Sequence, residues 1–137
     1  IGEVGSTGTA PMPGADDMAD LVAGFADAGL PVRFQVRGDL AAVPPATGLA
    51  LYRIAQESIS NVVKHAPRSS AEVDVVIADE SVRPAVRNEG PADVRAGSAG
   101  LGIAGMGERA ALVGGSLSAG PAPGGWQVIA DLPIGAP

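Results

Sequence analysis

The chain has 137 residues, 46% of them apolar, and 15 acidic against 9 basic groups give it a net charge of −6. That length suits one domain with little room for a second, and the negative charge argues against the basic face that nucleic acid requires. The lack of cysteine excludes disulfides and thiolate metal sites, and a single histidine, His65, leaves no structural zinc centre.

No apolar run approaches the roughly 18–20 residues needed to cross a bilayer. The opening stretch IGEVGSTGTAPMPG lacks a basic region followed by an apolar one, and a start at Ile1 rather than Met suits a piece of a longer protein. With one Trp, one Tyr and two Phe, the core must be built from small aliphatic side chains. Twenty Gly and twelve Pro imply many turns between short elements.

Residues 1–15 read as a linker, and residues 16–135 as the folded domain. From Asp16, the spacing of Met18, Leu21, Val22 and Phe25 predicts an amphipathic helix, ended by Gly29 and Pro31. Alternation over Pro31–Arg37 predicts a half-buried strand. A long helix follows from Pro45 to His65, opened by proline in its first turn and stopped by Pro67. Its core face is Leu51, Ile54, Ala55, Ser58, Ile59 and Val62.

Two strand-like runs, Ala71–Ala78 and Val82–Arg87, then form a hairpin, and 88–99 reads as a loop. The glycine-rich GLGIAGMG leads into a helix over Ile103–Val113, ended by Gly114-Gly115. A last hairpin joins Ser116–Ala119 to Trp126–Leu132 through the turn PAPGG. This order predicts a two-layer α+β sandwich, its mixed, mainly antiparallel sheet covered by helices on one face.

Glu57, Asn61, Lys64 and His65 stand at i, i+4, i+7 and i+8 of the long helix and project from one stripe. A carboxylate and an amide oxygen suit Mg²⁺, and a lysine neutralises phosphate; the same spacing also describes the solvated face of an ordinary helix. Gly100, Gly102 and Gly105 fit GxGxxG, but the segment follows a loop late in the chain, so a dinucleotide fold fails on context. What survives is a glycine-lined helix start with free N–H groups, suited to phosphate, or simply a flexible loop.

Three runs together are more specific. YRIAQESISNVVKHA (52–66) resembles the N box of bacterial sensor histidine kinases of the NarL/DesK type. NEGP (88–91) occupies the place of their G1 box, and GLGIAGMGERAALVGG (100–115) resembles their G2 box. The resemblance covers residues 16–135 and implies the Bergerat ATPase fold. It implies ATP and Mg²⁺ as ligands, with Asn61 on the metal and Glu57 as the catalytic carboxylate one turn earlier. Lys64 and His65 would contact phosphate, while Asn88 and Gly90 would meet adenine. Gly100, Leu101, Gly102 and Gly105 would line the phosphates, and Met106 would wall the pocket.

The resemblance further implies transfer of the ATP γ-phosphoryl group to a histidine on a separate dimerisation domain of the same full-length homodimer, then to a response regulator. It places the domain in the cytoplasm without direct membrane contact of its own, whether or not the parent protein is membrane-attached. Three positions depart from the pattern: Asn88 replaces the usual Asp, Pro91-Ala92 the region of the second G1 glycine, and Gly107 the usual Arg. The alternative they raise is a degenerate, non-catalytic nucleotide-binding module. An anti-sigma-factor-like serine kinase on the same fold is disfavoured by GMGER at 105–109.

Overall fold

The computed structural model describes residues 12–66, 68–89 and 101–134; the expected linker up to residue 11, the Pro67 stop, and residues 90–99 of the expected loop lie outside them. The chain enters through a 3-10 turn, Ala15–Asp17, before helix α1 (Met18–Asp27), so the α-helix starts two residues later than its sequence pattern suggests. The reason is a local cap: the Asp17 carboxylate accepts the Gly14 N–H at 2.7 Å and tightens the first turn. Strand β1 (Val32–Arg37) alternates half-buried and exposed side chains as expected. A 3-10 turn at Leu40–Ala42, which no hydrophobic period announces, follows; the Asp39 carboxylate caps it at the Ala41 N–H, 2.9 Å away.

Helix α2 (Pro45–His65) has the expected bounds. Its predicted core face is buried throughout, joined by Thr47, Gly48 and Ala50. Ala66 leaves the helix at φ −145°, ψ 58°, in keeping with the bias against helical backbone in a residue that precedes proline. Strands β2 (Ser70–Ile77) and β3 (Ser81–Glu89) form the first hairpin. Helix α3 (Leu101–Leu112) and the hairpin of β4 (Ser116–Ala122) and β5 (Gly125–Pro133) complete the chain.

The five strands lie in the order β1-β2-β3-β5-β4. Only β1 and β2 run parallel, joined by the α2 crossover; the other three pairings are antiparallel. All three helices pack on one face, where the inward rows Ala71, Val73, Val75 and Val82, Val86 meet Leu51, Ile54 and Ile59 of α2 in one core. The opposite face carries cross-strand polar pairs, among them Arg33–Glu72 at 3.3 Å and Arg83–Asp131 at 3.1 Å. Exposed pairs of this kind contribute little to stability but keep the open face solvated. The predicted two-layer arrangement is therefore the observed one.

Besides the start of α1, three boundaries differ from the sequence pattern by two residues or more. Asn88 and Glu89, expected in a loop, extend β3, because Asn88 pairs with both Ala71 and Trp126 and Glu89 with both Ser70 and Gly125. Helix α3 begins at Leu101 rather than Ile103, so Gly102 lies within it rather than before it, alongside Gly105 and Gly107; its contacts with α2 compensate the poor helix propensity of glycine. Strand β4 continues to Ala122, through Pro121. It is an edge strand, where a missing N–H costs no ladder bond. Pro84 is the harder case. It is buried in the interior strand β3, and the ladder to β5 skips Arg83 and Pro84 without losing register.

Two glycines on neighbouring elements should respond oppositely to alanine. At Gly125 a Cβ would collide with the Asn88 backbone carbonyl, whereas at Gly107 it would meet nothing within 4 Å. We predict that Gly125→Ala costs about 1–3 kcal/mol, as overpacking does, and lowers Tm by roughly 4–15 °C. Gly107→Ala should gain about 0.5–1 kcal/mol from the helix interior. Thermal unfolding followed by circular dichroism measures both; two shifts of the same sign would contradict the packing described.

Candidate functional site

Helix α2 has two working faces because its apolar period is confined to one side. Leu51, Ile54, Ala55, Ile59 and Val62 go into the core, and the stripe beside them carries Glu57 and Asn61, one turn apart and both half-buried. Lys64 is exposed and His65 half-buried in the last turn. None of these four side chains makes a hydrogen bond or ion pair with another described residue. The neighbouring Ser58 is engaged in the core: the one proton of its hydroxyl is shared between the Ile54 carbonyl at 2.7 Å and the Met106 sulfur at 3.2 Å.

That contact seats α3 on α2. The two run so that Gly102 lies over Glu57 and Met106 over Ser58. A Cβ at Gly102 would come within 2.8 Å of Glu57 Oε2, so the glycine is what admits the carboxylate beside the first turn of α3. The first four N–H groups of a helix have no intrahelical acceptor, and the positive end of the helix attracts a carboxylate or a phosphate. Leu101 and Gly102 belong to that free set. Gly105, fifth in the helix, has an N–H that joins the α-helical ladder.

A cleft of about 420 Å³ runs along this seam. Leu49, Arg53, Gln56 and Glu57 line it from α2, Gly102, Gly105, Met106 and Arg109 from α3, and Met12 closes one side. It thus gathers four of the residues singled out from sequence, Glu57, Gly102, Gly105 and Met106. Met106 is itself only 1% exposed, a core side chain first and a wall second. Asn61, Lys64, His65 and Asn88 do not line it. Gly90 and Gly100 lie outside the described residues, as does the side chain of Leu101. Arg53, Gln56 and Arg109 were not singled out from sequence. Each sits inside a quoted motif, but only the tertiary fold brings them together.

Asn88 stands at a separate point, one residue before the end of β3. It is 4% exposed, on the core side of the sheet, directly across from Ala71 and from Trp126, the one tryptophan of the chain. Its Nδ2 faces the Ser69 hydroxyl at 3.5 Å, and Ser69 is 6% exposed in the turn between α2 and β2. Sequence reading passed over Ser69, since a serine in a polar turn carries no periodic signal. The described residues hold no cluster of three or more His, Cys, Asp or Glu side chains. A cation here would rest on few protein oxygens, with Glu57 and Asn61 foremost.

No protein-family profile matches the sequence, and no curated protein matches it significantly. Solved structures do match. The nucleotide-free catalytic domain of the histidine kinase ThkA superposes with a TM-score of 0.71 at 13% identity, covering 88% of this chain and 91% of that one. The ATP-binding domain of PrrB from Mycobacterium tuberculosis gives 0.63 at 19% identity, covering 89% and 94%. The blue-light-activated histidine kinase EL346 of Erythrobacter litoralis gives 0.67 at 18% identity; 89% of this chain aligns with 42% of that one. A five-stranded mixed sheet with helices on one face, shared over nearly nine-tenths of the chain, gives this protein the fold of the catalytic, ATP-binding domains of histidine kinases.

Proposed function

We propose that this chain binds Mg-ATP and acts as the catalytic domain of a two-component sensor histidine kinase of the NarL/DesK type. In this reading the γ-phosphoryl group passes to a histidine on a separate dimerisation domain and from there to a response regulator. The observation that carries the proposal is the half-buried Glu57–Asn61 stripe, bonded to no described residue and set beside the free N-terminus of α3. The fold shared with histidine kinase domains and the three motifs support it. The same reading places the domain in the cytoplasm, as part of a homodimeric parent protein.

Asn61 and Glu57 fit a magnesium ion that arrives with the nucleotide. They are hard oxygen donors one helical turn apart, and Mg²⁺ characteristically takes only one or two such protein groups and completes its shell with water and phosphate oxygens. When bound, the ion would supply charge neutralisation for the transferring phosphoryl group. The chain's own contribution is positional. Asn61 orients the metal site, the Glu57 carboxylate accepts hydrogen bonds from water or from the incoming imidazole, and Leu101 and Gly102 aim N–H groups at phosphate. Lys64 adds positive potential at the end of α2, and His65 stands beside it with ring nitrogens that can bond phosphate oxygens. Phosphoryl transfer asks for little more than placement and charge stabilisation.

One observation favours a second reading, a nucleotide-binding module without kinase activity. Asn88 is neutral and already engaged with Ser69, where the resembled family carries a carboxylate for adenine. The intact Glu57, Asn61 and Lys64 favour the first reading.

Asn61→Ala should fold normally by circular dichroism, since alanine is a good helix former, yet lose Mg-ATP binding by calorimetry; equal binding by both proteins would remove Asn61 from the site. The isolated chain, incubated with labelled ATP, should form no acid-labile phosphohistidine until a histidine-bearing dimerisation domain is added. His65 sits on the phosphate-binding face and is not in line to accept; a clear signal from the chain alone would refute this. Asn88→Asp should bind ATP roughly fivefold more tightly, because a charge-assisted hydrogen bond to the adenine amino group exceeds a neutral one by about 1 kcal/mol. Unchanged affinity, with no better discrimination against a purine nucleotide lacking the amino group, would show that residue 88 does not read the base.

A further inference from the structure

The cleft between α2 and α3 extends past the proposed nucleotide site. Positions 53, 57 and 61 recur at each turn of α2 and form one stripe, with Glu57 in the middle. Asn61 lies one turn beyond Glu57 and does not line the cleft, whereas Arg53 lies one turn before it and does. Glu57 therefore stands at a boundary, with the proposed metal ligand on one side and the cleft on the other. Three polar side chains join it there: half-buried Arg53 and Gln56 from α2, and exposed Arg109 from the last turn of α3.

All three offer donors. Arg53 Nη1 donates to Gln56 Oε1 at 3.0 Å. A guanidinium cannot accept, so this bond settles the amide: Oε1 turns to Arg53, and Nε2, a donor, is the other end. Arg53 keeps further N–H groups, and neither arginine pairs with a carboxylate of another described residue. In a chain of net charge −6 the cleft is a local reversal, two guanidinium groups against the single carboxylate of Glu57. We propose that it docks the helix of the dimerisation domain that bears the acceptor histidine, and that Arg53, with Arg109 opposite, binds a carboxylate on that helix one turn from the histidine. This rests on the reading that the γ-phosphoryl group passes beside Glu57. The spacing follows from α2, on which Arg53 stands four residues from Glu57, about 6 Å along the axis. On a facing helix that distance separates residues three or four apart. An imidazole opposite Glu57 thus brings such a neighbour opposite Arg53, where a planar fork suits a carboxylate. Leu49 and Met106 supply apolar walls, and the unbranched Met12 can adapt to the docked surface.

The test follows labelled phosphate from Mg-ATP to the parent protein's dimerisation domain, supplied separately, with the whole chain as enzyme. Arg53→Gln should bind Mg-ATP with wild-type affinity by calorimetry, yet label the acceptor about tenfold more slowly. Arg53→Lys keeps the charge but not the fork and should fall between; it carries the comparison if the glutamine variant does not fold. The acidic residues three and four positions to either side of the acceptor histidine are then changed singly to lysine. One such change should slow transfer from the wild-type chain by a similar factor and restore transfer from Arg53→Glu. Arg109→Gln should chiefly flatten the salt dependence of the rate, as loss of an exposed charge does; an unchanged dependence would remove Arg109 from the surface. Wild-type transfer by Arg53→Gln, or no acceptor change that rescues Arg53→Glu, would overturn the docking and leave the kinase reading standing. Weakened Mg-ATP binding by Arg53→Gln would assign the cleft to the nucleotide and overturn it equally. A folded wild-type chain that binds no Mg-ATP, or labels no acceptor, would instead defeat the kinase reading, and this inference with it.

Discussion

The Ser58 hydroxyl shares its one proton between the Ile54 carbonyl one turn back and the sulfur of Met106 on α3. This buried contact fixes how far α3 stands from α2, and the candidate site is the space that results. Were α3 farther away, its first turn would not lie beside the Glu57 carboxylate. At the present separation only a glycine passes it, since a Cβ at position 102 would fall inside contact distance of the carboxylate. A small residue, a bonded serine and a flexible methionine thus set one dimension of the molecule. Methionine suits the task because its unbranched thioether fits irregular gaps and accepts a weak hydrogen bond.

The sheet supplies the second dimension. β3 lies at its centre, paired with β2 on one side and β5 on the other, and its last residues carry Asn88 to the core face beside Trp126. The close pass of Gly125 over the Asn88 carbonyl shows how tightly that strand end is held. The α2 crossover, which links the parallel strands β1 and β2, then sets the Glu57–Asn61 stripe over the same sheet. The polar residues of the site come from α2, α3 and β3, and none depends on the exposed face of the sheet.

Much of this was legible in the sequence, for physical reasons that differ from element to element. Helix α2 could be bounded because a proline opens it, a proline follows it, and its apolar residues keep one period over 21 residues. The Glu57–Asn61 stripe was equally plain, since i and i+4 must share a helix face. The end of β3 was not, because Asn88 and Glu89 are poor strand formers that become strand only through partners on both sides. The start of α3 was hidden by its glycines, whose low propensity is overridden by packing against α2. Ser69, Arg53 and Arg109 were invisible as site residues for a simpler reason. Their neighbours are distant in sequence, and periodicity speaks only of local geometry.

In the proposed function a nucleotide sits between the α2 stripe and the first turn of α3, with its base toward Asn88. Backbone and indole N–H resonances recorded with and without Mg-ATP test it most directly. Shifts should concentrate at Glu57, Asn61, Gly102, Asn88 and the Trp126 indole, and collapse when the magnesium is chelated. Shifts confined to the open sheet face around Arg33, Glu72 and Arg87, or none at all in the folded protein, would contradict it.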